Sequence, residues 1–474
     1  MRGHAPLSTD WSGSGQSLLW KYNLHYFDDL NAEGSSARRA LHHRLIVDWV
    51  EQNPPGAGVG WQPYPTSLRI VNWIKWTLSG NSLAERGCGS LALQAAWLSK
   101  SIEWHLLGNH LFSNGKALVF AGLFFGGSSP RDWLKTGLDI LLDELREQIL
   151  PDGGQFELSP MYHSLALEDV LDLINVCSAF PDQVDKEFRD SLIETAERML
   201  NWLDIMRHPD GEIALLNDSS FGVAPAPVEL IRYASRLGIR SEQRGVGIRW
   251  LKDSGYVRGE TETAVLIADI GPIGPDYLPG HAHADTLSFE LSLFGCRFIV
   301  DAGCSTYDVS PQRLQQRGTA VHNTVAVNGE DSSEVWSSFR VARRARVSGI
   351  NVVDNHEQVT ISAEHDGYAR LGKGLVHARQ WRLERDKLTV TDRLPVGNNQ
   401  VVASLLLHPD VAATCDPGIV RCWINGRQVV IRANGGEMAV NQAAWYPTFN
   451  SSVSSKRICI TMCADVLETT IAWS

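Results

Sequence analysis

Hydrophobic periodicity changes once along this chain, and that change constrains the fold more than any other feature of the sequence. Before about residue 240, apolar residues recur at helical spacing: Trp133, Leu134, Leu138, Leu141, Leu142 and Leu145, then Leu192, Ala196, Met199, Leu200 and Leu203. Positions three and four apart return to one face of a helix. Similar runs cover Leu68–Leu78, Leu91–Leu106, Leu165–Cys177 and Leu18–Leu30. Breakers separate them, among them Asn53-Pro54-Pro55-Gly56, Pro151-Asp152-Gly153-Gly154 and Pro209-Asp210-Gly211. After residue 240 the period is two. Leu287, Phe289, Leu291 and Leu293 alternate with Thr286, Ser288, Glu290 and Ser292, as in a half-buried strand. Short β-rich stretches follow at Arg297–Asp301, Asn323–Val327, Gln358–Ser362, Lys387–Thr391, Val401–Leu407 and Arg457–Met462. The chain is therefore expected to be an α+β multidomain protein. A flexible N-terminus spans 1–15, and a helical bundle, array or toroid spans 16–240. An antiparallel β-sandwich spans 241–474, with the boundary in Gly238–Gly247.

Composition narrows the function classes. The 474 residues are 43% hydrophobic and 20% charged, an ordinary globular profile that excludes a disordered or collagen-like chain. No apolar run approaches the roughly 18 residues that cross a bilayer, so no membrane span is expected. A net charge of −11 argues against a nucleic-acid partner, while leaving room for a local basic groove that takes an anionic polymer. The eight cysteines are scattered without a CxxC pair, which points to buried free thiols and away from a disulfide scaffold. Met1–Gly15 lacks the apolar core of a secretory signal. Either the protein stays inside the cell, or its export signal is not part of this sequence. Nothing in the chain addresses its oligomeric state.

Polar chemistry concentrates in three clusters. The densest is Gly280-His281-Ala282-His283-Ala284-Asp285, just before the alternating strand. In extended backbone two histidines two apart share a face. Asp301 closes the next apolar run and His322 opens another. Two imidazoles and a carboxylate on neighbouring strand ends could hold a divalent metal, or could form a hydrogen-bonded network without one. The second cluster runs from Trp104 to Lys116 and contains Asn109-His110; a helix cap and turn would explain it equally. The third, Gly153 to His163, contains Tyr162, whose ring could simply pack with its hydroxyl exposed.

Taken together, Asn109-His110, Tyr162, His281-x-His283-Ala284-Asp285, Asp301-Ala302-Gly303 and His322-Asn323-Thr324 resemble the heparinase II/III-like polysaccharide lyases in order and rough spacing. The stretch Trp20 to Phe27 looks like the branch of that family found with bacterial surface-polysaccharide genes. The resemblance implies an (α/α) toroid followed by an antiparallel β-sandwich. It implies β-elimination at a uronic acid, which leaves a 4,5-unsaturated uronate end. The resemblance gives Asn109, assisted by His110, the task of offsetting the uronate carboxylate's charge. His281 is the expected base, with His110 as its rival, and Tyr162 is the expected acid at O4, or both base and acid where the substrate allows a syn elimination. Tyr307 is a second phenol in the region. His283, Asp301 and His322 match the family's metal positions, with zinc the best fit to N/O ligation and a structural role. An anionic polymer also needs positive and aromatic contacts, for which Arg69, Arg317 and Trp61 are candidates. The implied substrate is an acidic exopolysaccharide, capsule or O-antigen, and the site is expected to draw on both domains. Family members are usually exported, so a periplasmic or secreted protein is implied even though no signal is visible. Two other readings compete. One is a glycoside hydrolase using Asp152, Glu157 or Asp218; the other is a non-catalytic polysaccharide-binding or assembly protein.

Overall fold

Helices fill the first half and antiparallel strands the second in the computed structural model, which describes residues 9–240, 245–355 and 358–474. Residues 1–8 of the expected flexible segment lie outside the described residues, as do residues 241–244 of the boundary stretch. The last helix of the first half is Pro227–Arg236 and the first strand is Gly247–Leu251. Among the described residues no helix is long and apolar enough to cross a membrane.

The chain packs as two compact units, one of residues 1–148 and 169–193, the other of residues 149–168 and 194–474. Secondary structure thus changes near 240, whereas packing divides elsewhere, and the helices Pro160–Ala179 and Lys186–Ile205 contribute to both units.

In the first unit the helix Gly108–Phe124 is buried almost throughout, with the polar Ser113, Asn114 and Lys116 among its buried residues. A helix buried on all sides needs neighbours on every side. It meets Ser128–Gln148 at very short range, because glycines sit at the crossing. A Cβ on Gly137 would lie 2.7 Å from the Gly115 carbonyl oxygen and 2.8 Å from the Val119 nitrogen. Charge is buried here too. The Lys116 ammonium lies 2.7 Å from both Asp169 and Asp172, and Lys75 donates to Asp172 at 2.9 Å. The predicted helix over Leu18–Leu30 is broken: it runs Leu18–Leu24, and a separate short turn covers Asp28–Asn31. The break comes where Phe27 takes a left-handed φ of 63° and His25 turns inward to accept the Trp49 indole N–H at 2.9 Å.

The second unit contains an eight-stranded, a five-stranded and a four-stranded antiparallel sheet. All three contribute to one core, with Leu266, Phe289 and Leu291 from the five-stranded sheet, Trp381 and Val390 from the eight-stranded sheet, and Ala403 and Ile460 from the four-stranded sheet. The alternating strand, Phe289–Leu293, is not half-buried as predicted, for every residue of it is buried. Its polar face is covered by protein: Glu290 accepts from His208 at 2.6 Å and from the Asp301 backbone N–H at 2.7 Å. All eight cysteines are free thiols, but only Cys177, Cys304 and Cys422 are buried, and Cys415 and Cys463 are exposed.

One buried histidine gives this unit an acid-sensitive element. His163 follows Tyr162 on the helix Pro160–Ala179 and stacks on Trp202 at 4.1 Å. It donates through Nε2 to the Met199 carbonyl at 3.0 Å, and its Nδ1 accepts from Gln155. Burial pushes its pKa down to about 3. The unfolded chain takes up this proton near the ordinary value of 6.5, while the folded chain resists it. Stability should therefore be full above that value and fall as pH drops toward 3, by roughly 1.4 kcal/mol per unit. Urea melts across this range check it. His163→Phe should flatten the slope by about one proton, and an unchanged slope would contradict the assignment.

Candidate active site

Within the second unit, three of the expected residues come together. Tyr162 lies in the first turn of Pro160–Ala179, and its ring centroid is 3.9 Å from that of His281. The Tyr162 hydroxyl is 3.2 Å from the hydroxyl of Tyr307, whose ring lies 5.8 Å from His281. His281 is 15% exposed, so this group reaches solvent.

Asp218 organises the group. Its Oδ2 is 2.9 Å from His281 Nδ1, and its Oδ1 is 2.8 Å from His283 Nε2. Both terminal nitrogens of Arg313 donate to the same carboxylate, one of them at 2.6 Å. Burial alone would raise the Asp218 pKa; the Arg313 guanidinium and the hydrogen bonds from His281 and His283 outweigh it and hold the carboxyl well below the usual range. A carboxylate only accepts, so His281 carries its proton on Nδ1 and presents the Nε2 lone pair. Glu157 Oε2 stands 3.5 Å from that Nε2, placed to stabilise the imidazolium formed when the ring takes a proton. Burial lifts the Tyr307 hydroxyl well above its usual pKa, with Tyr162 and Asp218 adding to the effect, so this phenol stays protonated.

Backbone strain places these side chains. Leu158 and Asn217 both adopt left-handed φ, 60° and 56°. The turns hold because Asn217 donates to the Leu158 carbonyl at 3.0 Å and accepts the His283 backbone N–H at 2.9 Å. Tyr256 donates to the same Leu158 carbonyl at 2.6 Å.

Asn109 and His110 belong to the first unit, in the opening turn of Gly108–Phe124. Leu107 and Gly108, at φ 58° and 56°, start that helix. His110 is partly exposed, lies 3.2 Å from Glu103, and packs its ring against Tyr64 at 4.4 Å. Asn109 is half-buried.

The proposed metal residues are adjacent. His322 Nδ1 is 2.7 Å from Asp301, and the His283 and His322 rings are 5.2 Å apart. Among the described residues no three His, Cys, Asp or Glu side chains stand in a metal-holding arrangement. Yet His283 Nδ1 and His322 Nε2 are buried with no hydrogen-bond partner, and such nitrogens suit a cation with N/O preference.

Three expected substrate contacts are corrected. Arg69 is fully buried and donates to Gln94 at 2.9 Å and to the His25 carbonyl. Trp61 is 3% exposed and packs between Trp49 and Trp97. Arg317 is fully buried and spends its donors on the backbone carbonyls of Ala282, Ser337 and Arg340. All three are built into the packing. Two of the three acids of the hydrolase reading are likewise committed. Asp152 accepts three hydrogen bonds from Asp253 and Ser254, and Asp218 is clamped by Arg313.

Comparison with known proteins follows the same lines. Residues 45–229 match the heparinase II/III N-terminus, and residues 243–474 match the heparinase II/III-like C-terminal domain. The chain belongs to the heparinase II/III-like family. A heparin-sulfate lyase of Pedobacter heparinus is 28% identical to this family member over 320 residues, 60% of this chain and 47% of that protein. The chain thus spans about half the length of the heparin-sulfate lyase it matches. The FtsZ-localized protein C of Caulobacter vibrioides is 26% identical over 452 residues, 88% of this chain and 73% of that protein. The crystal structure of heparinase III shares the fold with a TM-score of 0.75 at 17% identity, covering 96% of this chain and 76% of that one. That likeness supports the expected order of a helical toroid followed by antiparallel sheets.

Proposed function

We propose that this heparinase II/III-like chain is a polysaccharide lyase that cleaves a uronic-acid-containing bacterial polysaccharide by β-elimination. The observation that carries the reading is the closely packed Tyr162–His281 pair, with His281 held by Asp218 and Tyr162 against Tyr307. Elimination needs a base for C5–H and an acid for O4. His281 Nε2 takes the C5 proton; the electron pair left behind forms C4=C5, and the C4–O4 bond breaks. The Tyr162 hydroxyl gives its proton to the departing O4. Elimination also needs donors for the charge that develops on the uronate carboxylate, the task that the family resemblance gives to Asn109 and His110. Glu157 and Asp218 stabilise the imidazolium between the two proton transfers.

The test is a panel of uronate polymers that includes bacterial exopolysaccharides and capsules. A conjugated C4=C5 end absorbs in the ultraviolet, and a growing absorbance is the expected result. Shortened chains without that absorbance would mean hydrolysis.

The two partnerless nitrogens of His283 and His322 support a divalent cation between them, with Asp301, on the other nitrogen of His322, orienting that ring or swinging in as the third ligand; zinc fits the donor set best. Its contribution would be to fix the loop that carries His281. Metal analysis should find about one equivalent, and chelation should lower the melting temperature by roughly 2 °C or more. Protein without bound metal and with an unshifted melt would remove the proposal.

The second reading is a non-catalytic polysaccharide-binding or assembly protein. It predicts polymer binding without turnover.

A further inference from the structure

The hairpin formed by Val335–Trp336 and Arg340–Val341 borders the His281 group and has no part in the chemistry above. Its register sets Trp336 opposite Arg340 and Val335 opposite Val341. Directly opposed residues share a face of an antiparallel pair, so Trp336 and Arg340 project together and the two valines together. Exposure agrees: Trp336 is 55% exposed and Arg340 is exposed, while both valines are half-buried. At the tip, the Phe339 ring stands 5.6 Å from His281 and 5.3 Å from Tyr307.

Two buried arginines pin this hairpin from below. Arg313 donates to the Ser338 carbonyl at 2.9 and 3.1 Å, and Arg317 donates to the carbonyls of Ser337 at 3.2 Å and Arg340 at 3.3 Å. Arg313 is the residue that clamps Asp218, so one side chain fixes both the His281 group and the hairpin. The nearby charges are already engaged: Glu334 is paired with Arg343 at 2.7 Å, and Arg344 with Asp276 at 2.8 Å. Among the described residues the Arg340 guanidinium makes no ion pair or hydrogen bond. A rigid support thus presents an exposed indole beside an uncommitted guanidinium, next to the candidate catalytic pair.

We propose that this hairpin is an acidic-sugar subsite, with Trp336 stacking on a pyranose ring and Arg340 pairing with the carboxylate of a uronate flanking the cleaved one. An indole offers a large flat apolar face with few torsions to freeze. A guanidinium matches a carboxylate bidentately. The inference rests on the uronate-lyase reading for its ligand class, but binding can be measured apart from cleavage.

The experiment is native electrophoresis of the full chain through gels containing alginate, hyaluronan or heparosan, with dextran as the neutral control. Trp336→Ala and Arg340→Gln are run beside the parent, and all three are melted to confirm equal folding. At least one uronate polymer should retard the parent, and each substitution should weaken that retardation about tenfold. The Arg340 contribution should shrink as salt rises. With a polymer that is cleaved, the substitutions should raise KM more than they change kcat, because a contact remote from the reacting atoms is made equally in both states. Equal retardation of parent and variants, or a parent retarded by none of the polymers, overturns the subsite. Retardation that the variants lose, with no ultraviolet-absorbing product from the retarded polymer or from the bacterial polysaccharides, keeps the subsite and overturns the lyase.

Discussion

Tyr162→Phe should lower kcat by about two to four orders of magnitude and leave polymer binding and the melting temperature where they were. The substitution removes one hydroxyl and keeps the ring that packs against His281 at 3.9 Å. Nothing else in the group can deliver a proton to O4 as readily. Tyr307 lies 3.2 Å behind the Tyr162 hydroxyl, and burial holds its own proton tightly. Tyr307→Phe should therefore cost less than Tyr162→Phe. Initial rates from product absorbance, with polymer retardation as the binding control, give both numbers. If Tyr162→Phe turns over at the parent's rate, Tyr162 is not the acid. If neither protein turns over while both bind, the non-catalytic reading gains.

Asp218→Asn should be the most damaging single change, in activity and stability together. The carboxylate serves His281, His283 and Arg313 at once. An amide has one acceptor oxygen and two donors, so one imidazole loses its acceptor and the preferred Nδ1–H tautomer of His281 is no longer imposed. A fall in kcat of roughly three to four orders of magnitude is expected from the tautomer alone. Arg313 is left as a buried charge without its counter-ion, which costs about 3–5 kcal/mol. The double variant Asp218→Asn, Arg313→Met should regain part of that stability and none of the activity. Denaturant melts and rates on the same preparations test the two effects separately. A single variant with parental rate and melt would refute the assigned role.

The change of period near residue 240 was legible because burial writes itself into spacing, and the helix-to-strand order followed from it. The polar face of Phe289–Leu293 was misread because alternation does not tell water from a protein surface: Glu290 faces His208 and the Asp301 backbone, not solvent. Chemistry-bearing residues stood out by type, and Tyr162, His281 and Tyr307 do meet. Arg69, Trp61 and Arg317 failed for the converse reason. Arginine and tryptophan suit sugar binding and suit buried hydrogen bonding equally, and only the neighbours decide. Asp218 was visible only as a possible hydrolase acid, inside the polar run Asn217-Asp218-Ser219-Ser220. Arg313 left no signal at all, since Pro311-Gln312-Arg313-Leu314-Gln315-Gln316-Arg317 reads as an ordinary surface helix. Its role exists only because the fold brings residue 313 to residue 218.

The claim that chain cleavage proceeds by elimination is tested most directly by running the reaction in heavy-oxygen water and weighing the products. Elimination breaks C4–O4 without water, so the two fragments should sum to the mass of the parent chain and carry no solvent oxygen. Fragments that together gain one water, with the heavy oxygen at a new chain end, would contradict the account.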